Sequence, residues 1–514
     1  MPHSVKKRYF VSFLSNVLRS VFSFLTGLVV ARGLGPGGYG EMSFLLGSFG
    51  AFRALIDLGT SNAFYTFISQ ESRPVRYYSF YGLWLAFQFM LTAVLVAWIM
   101  PASLVEDIWL GHGRSAILLS FAASFFQQQV WLTVNQIAEA ARKTIKAQYL
   151  NIAVAVFYLG SVSLLSFYGA ISVRAVLLLM VLQYAVASLA AVKVLGPVDI
   201  VPSPGGRPVA LREMLAKYRA YCAPLLAMSV AGFVYDFSDR WMLQHFGGAN
   251  QQGFYQAAFQ FAAISVLATT SILNIFWKEM AEATRLNDTE RIYRIFLKVS
   301  RGLYTFGALL SGFLIPWSGE ITGTFLGEAY SPAGPVLALM FLYPLHQSLG
   351  QIAGTMLLAG ERTKQYMAIS VAAMLVSLPV SYLLQAPAHG LPVPGLGLGA
   401  MGMALKMVGL NIISVNALLW VITRNQGWKF DYLYQIAGPG AMLAAGFAVR
   451  TGAAQVFGDL VSTDKFRFLP PFLLSGGAYL ILACAILWLM PWLAAMDRDE
   501  IRGYIIKVRA LAYR

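Results

Sequence analysis

Arg19, Arg53, Arg240 and Lys406 each stand inside an apolar stretch long enough to cross a bilayer. A cation at a helix centre costs about 2.5–3.5 kcal/mol on insertion scales, so four carry a penalty on the order of 10 kcal/mol. Side chains retained at that cost usually face a bundle interior or a watered cavity. The chemistry they offer is anion binding, in which Arg forks two donors onto phosphate oxygens and Lys supplies a compact charge. No acid lies within four residues of Arg19 or Lys406, which makes these two the expected free cavity cations. Asn16 sits one turn before Arg19 on nearly the same face, and Asn411 follows Lys406.

The other two cations have acids close by. Asp57 follows Arg53 by four positions and Asp236 precedes Arg240 by four, a spacing that places both members on one side of a helix. Two roles stand open for such pairs: an internal neutral lock, or a ligand site partly occupied by its own carboxylate. Asp239 is left over as a proton or cation site.

The elements that must position these residues are transmembrane helices. The 514 residues are 58% hydrophobic and only 12% charged, about half the charge content of a soluble chain. Apolar segments of spanning length suggest about fourteen helices, near 9–31, 41–69, 77–100, 115–138, 147–168, 174–195, 220–246, 254–280, 298–325, 333–359, 366–386, 396–421, 434–452 and 470–493. The first of these follows Lys6-Lys7-Arg8 and lacks a small-residue cleavage signature, so it is read as a membrane helix and not a signal peptide.

Basic residues test that map. With the N-terminus inside, 28 of the 38 Lys and Arg fall on the cytoplasmic side and six on the other: Arg32, Arg114, Arg174, Arg450, Lys465 and Arg467. The remaining four are the intramembrane cations. Every cytoplasmic connection carries at least two basic residues, a positive-inside pattern that places both termini in the cytoplasm. The net charge of +15 is then an orientation signal, and no nucleic-acid partner is implied.

Several tempting motifs fail on context. Gly397-Leu398-Gly399-Ala400-Met401-Gly402 fits a dinucleotide-binding pattern, but no strand–helix unit surrounds it. His245, His346 and His389 are dispersed and Cys222 and Cys484 sit in separate spans, so no metal site and no catalytic group are expected. The tail from Asp497 places Ile501, Tyr504, Ile505, Val508 and Leu511 on one face, the pattern of an interfacial helix on anionic lipid; residues 209–219 read likewise.

The Pro- and Gly-rich stretch Gly196–Arg219 separates six spans from the next six. The turn Leu34-Gly35-Pro36-Gly37-Gly38-Tyr39-Gly40 has a counterpart at Gly247–Tyr255, and Ala140–Thr144 matches Gly360–Lys364. Such weak self-similarity is expected of transporter repeats, here related by a pseudo-twofold along the membrane normal. The division implied is an N-terminal lobe at 1–196, a cytoplasmic linker at 197–219, a C-terminal lobe at 220–423, and two further spans with the tail at 424–514.

Ala31–Gly40 followed by Asp57-Leu58-Gly59, Asp239-Arg240 before Gly247-Gly248, Tyr330, and Leu358-Ala359-Gly360 together resemble the Wzx-type polysaccharide flippases. These belong to the multidrug/oligosaccharidyl-lipid/polysaccharide exporter superfamily. The resemblance covers about residues 9–423 and rests on the order and spacing of its motifs. It implies an all-α inner-membrane protein that moves a polyprenyl-diphosphate-linked glycan to the periplasmic leaflet by alternating access, without a cofactor. Membrane lipids, a polysaccharide polymerase and export machinery are the implied partners. Coupling to H+ or Na+, known in the superfamily, would fall on Asp57, Asp239 or Asp236, and substrate binding on Arg19, Lys406, Arg53, Arg240 and Asn16. A multidrug exporter of the same superfamily is the alternative; such pumps favour cationic drugs and are expected to carry acids in the cavity. A membrane polysaccharide polymerase is disfavoured by outward connections of only about 15–20 residues, since such enzymes tend to have a large periplasmic loop or catalytic domain.

Overall fold

The computed structural model describes residues 5–71, 73–196, 211–286, 288–458, 467–498 and 500. Helices account for nearly all of them, and no strand occurs among the described residues. The interfacial tail expected at 501–514 and most of the linker lie outside the described residues. Two compact units emerge: Met1–Gly253 with Gln385–Gly399, and Phe254–Leu384 with Ala400–Arg514.

In the first unit α1 (Val5–Asp57) is bent at Gly35, whose φ of 66° only glycine adopts without strain and which leads into Pro36. Then come α2 (Thr60–Gln70), α3 (Val75–Val94), α4 (Ala102–Trp109), α5 (Arg114–Phe125), α6 (Trp131–Ala140), α7 (Thr144–Phe167), α8 (Val173–Leu195), α9 (Leu211–Cys222) and α10 (Leu226–Met242). Helix α1 packs along α5, α7 and α10, and an aromatic core of Phe49, Phe121, Phe125 and Trp109 fills the space beside it. Helix α11 (Gly248–Arg285) starts in this unit.

The second unit is built from the rest of α11 with α12 (Thr289–Leu314), α13 (Ser318–Ile321), α14 (Gly334–Met340), α15 (Tyr343–Ala359), α16 (Thr363–Gln385), α17 (Gly399–Gln426), α18 (Leu433–Phe457) and α19 (Leu469–Leu489). Helix α12 buries Phe296, Leu303, Ala308 and Gly312 along one stripe against α15 and α18. Gly312 makes this possible, because a Cβ there would sit 2.7 Å from the Met442 carbonyl carbon.

Among the described residues ten helices are long and apolar enough to cross a membrane. Two of these segments, Val11–Asp57 and Arg212–Ile264, run to 47 and 53 residues, enough to cross a core of about 30 Å twice. The range expected for the thirteenth span matches α18, rich in Gly and Ala, whereas that for the ninth only overlaps α12, which carries more charge and ends at Leu314. The protein is a multi-pass helical membrane protein.

Several expected spans are interrupted, among them the second, fourth and tenth. The second breaks at Leu58 and Gly59, both left-handed with φ of 49° and 79°. The fourth contains a single π turn, Phe126–Val130. The tenth is divided between Met340 and Tyr343.

Candidate functional site

The break after α1 organises the polar part of the first unit. A helix end inside a membrane bares backbone groups that need partners. Asp57, buried at 6% exposure, supplies them: Oδ1 accepts from the Ser61 amide and the Thr60 hydroxyl, each at 2.9 Å, and Oδ2 accepts from Ser61 Oγ at 2.7 Å. Gln88 on α3 donates to the Ile56 carbonyl at 2.7 Å, and Trp84 Nε1 donates to Thr60 at 3.1 Å. The carboxylate expected to pair with Arg53 thus caps the start of α2.

Arg53 makes no ion pair among the described residues. It is half-buried and lines a narrow cleft with Phe49, Phe121, Ser124, Gln128 and Gln129. The π turn presents the glutamines. Gln127 donates to Tyr184 at 3.1 Å and Gln128 to Ser124 at 3.2 Å, while Gln129 is 2% exposed with both amide atoms unpartnered among the described residues. Leaving buried polar atoms unpaired costs about 1–3 kcal/mol, and π turns cluster at functional sites for that kind of local geometry.

Arg240 likewise departs from the expected pairing. Its guanidinium lies across α1 at Gly47, where an added Cβ would come within 2.6 Å of Cζ. The cause is packing: α10 lies along α1 and turns Arg240 toward it, whereas Asp236 is exposed. Asp239 is buried at 4% exposure. Six residues separate Gly47 from Arg53, so the two cations address one helix about 9 Å apart along its axis.

The remaining predicted residues are distributed more widely. Arg19 and Asn16 are exposed on the first half of α1, with Arg19 in electrostatic reach of the Tyr184 hydroxyl. Lys406 belongs to the second unit and is 1% exposed. No group of metal-binding side chains occurs among the described residues. Sequence reasoning passed over the glutamines, although three consecutive amides inside an apolar span were a visible anomaly.

The fold has clear relatives. The lipid II flippase MurJ in an inward closed conformation superposes with a TM-score of 0.67 at 13% identity, covering 93% of this chain and 98% of that one. An inward-facing multidrug resistance MATE family transporter of the MOP superfamily gives 0.59 at 13% identity, covering 80% and 95%. A MOP superfamily transporter from Pyrococcus furiosus, noted for the reverse polarity of its binding pocket, gives 0.50 at 14%, covering 81% and 94%. No curated protein matches the sequence.

The chain therefore has the fold that these flippase and transporter structures share. Residues 5–276, more than half of the chain, match the family described as polysaccharide biosynthesis protein, and the chain belongs to that family.

Proposed function

We propose that the protein is a flippase that carries a polyprenyl-diphosphate-linked oligosaccharide from the cytoplasmic to the periplasmic leaflet of the inner membrane. The single observation that carries this reading is Arg53. An arginine with no ion pair among the described residues lines a cleft whose other polar side chains are Ser124, Gln128 and Gln129. A guanidinium suits a diphosphate, and neutral amides suit sugar hydroxyls and ring oxygens, which both donate and accept. A pump for cationic drugs would instead need carboxylates free to face its cavity, and Asp57 is engaged with Thr60 and Ser61. The excess of basic residues in alternate loops supports cytoplasmic termini, and hence export toward the opposite face.

Arg53→Ala should lower surface glycan about 10-fold or more and leave lipid-linked glycan in the cytoplasmic leaflet, with Arg53→Lys intermediate. The factor corresponds to losing one charged hydrogen-bonding partner, about 1.5–3 kcal/mol. Normal surface glycan in an Arg53→Ala strain that makes normal protein would defeat the proposal.

A further inference from the structure

A second pocket in the first unit lies away from the cleft at Arg53. It is lined by Phe67, Arg73, Pro74, Tyr77, Met214 and Lys217, where α9 crosses the connection between α2 and α3. Its walls are closely packed. Met214 and Tyr218, one turn apart on α9, are buried at 5% and 7% exposure, and Tyr77 donates from its hydroxyl to that of Tyr218 at 3.0 Å. The Tyr218 ring meets Phe67 edge-on at 5.5 Å.

The rim is cationic and partly spare. Arg73 Nε donates to the Phe67 carbonyl at 3.1 Å, and its guanidinium stands 5.4 Å from the centre of the Tyr77 ring. That fixes the side chain at 15% exposure. Its acidic partner, Glu71, is 63% exposed, and an ion pair of that kind is worth about 0–1 kcal/mol, so another anion can displace it. Lys217 is exposed on the other side of the opening, with Arg76, Arg212 and Arg219 exposed on the same two elements. Val75 and Leu215 are 54% and 50% exposed beside it, a pattern of apolar side chains mixed with basic ones that belongs at a membrane surface.

We infer that this pocket is a binding site for an anionic phospholipid, with the headgroup phosphate between Arg73 and Lys217 and the first part of an acyl chain along Phe67, Pro74 and Met214. An apolar floor beneath two cations matches an amphiphile of net negative charge better than a free ion or a zwitterionic lipid. The bound lipid tethers α9, which leads directly into α10 and therefore into Asp239 and Arg240. The inference stands apart from the transport reading, since it concerns a different pocket and needs no glycan.

The test uses the full chain purified in detergent and titrated with phosphatidylglycerol, phosphatidylcholine or inorganic phosphate, with bound lipid counted by native mass spectrometry. The wild type should retain phosphatidylglycerol in preference to phosphatidylcholine. Lys217→Gln should weaken that preference about five-fold, the effect of one basic residue at the membrane surface, and Lys217→Glu should weaken it further. Lys217 is exposed and makes no hydrogen bond or ion pair among the described residues, so both variants test the site with little disturbance of the fold. Arg212→Gln, off the pocket lining, should change little. Equal losses in Arg212→Gln and Lys217→Gln would overturn the site in favour of diffuse surface charge. Competition by inorganic phosphate at equal concentration would overturn the lipid as occupant. Unchanged preference in Lys217→Glu would overturn the inference altogether.

Discussion

Replacing Asp57 separates a structural carboxylate from an ion-coupling one. In Asp57→Ala the Ser61 amide and the Thr60 and Ser61 hydroxyls each lose the acceptor they hold at 2.7–2.9 Å. A buried donor left unpaired costs about 1–3 kcal/mol, and the two hydroxyls can turn to carbonyls one turn back. The expected loss is therefore about 3 kcal/mol, dominated by the amide, which has no such freedom. Asp57→Asn keeps one oxygen for the amide and offers its NH2 to the Ser61 oxygen, so its cost should be about 1 kcal/mol. Thermal unfolding of the purified variants should rank wild type above Asn and Asn well above Ala, with transport falling in parallel. Two results would refute the reasoning. One is an Ala variant as stable as the wild type. The other is an Asn variant of near-wild-type stability that transports normally but no longer responds to proton or sodium gradients.

Gln129→Leu should raise stability by about 1 kcal/mol or more by removing two buried amide atoms with no partner among the described residues, while export falls; unfolding midpoints and surface glycan measure the two effects. Gly47→Leu should impair both folding and export, because the new side chain takes the space of the Arg240 guanidinium, whereas Gly232→Ala, with open space around it, should not; expression level and export compare them. The Glu500 carboxyl is held below the usual range by its hydrogen bond from Lys298 at 2.5 Å, helped by the Asp497 amide. A depressed acid stabilises above its unfolded value, so this contact should persist at neutral pH and be lost as acid carries the pH below the ordinary Glu range. Limited proteolysis of the C-terminal segment, faster in acid for the wild type and pH-independent in Glu500→Gln, checks it.

The membrane class, the helical fold and the family were legible because they rest on long apolar runs and on the order of short motifs. The pairings around Arg53 and Arg240 were not. The rule that positions four apart face each other assumes an uninterrupted helix and says nothing of its neighbours. Asp57 is the last residue of α1, and two left-handed residues after it direct its carboxylate to the next helix. Arg240 obeys helical spacing but follows the glycine gap at Gly47, a partner almost two hundred residues away in sequence. The π turn that presents Gln129 leaves no mark in hydrophobic periodicity, although its three amides do stand out in composition.

The two glycine turns that looked alike in the sequence touch each other. A Cβ at Gly40 would collide with the Ala249 carbonyl, and one at Gly253 would collide with the Pro36 carbonyl. The contact is thus reciprocal, largely backbone against backbone, with the Asn250 side chain set against Gly37. Helices that meet through side chains resist turning, because ridges must climb out of grooves. A crossing with so few side chains in it offers less resistance to rotation about the contact. The start of α11 and the second half of α1 therefore meet at a fulcrum, and any motion there is expected to be a swivel.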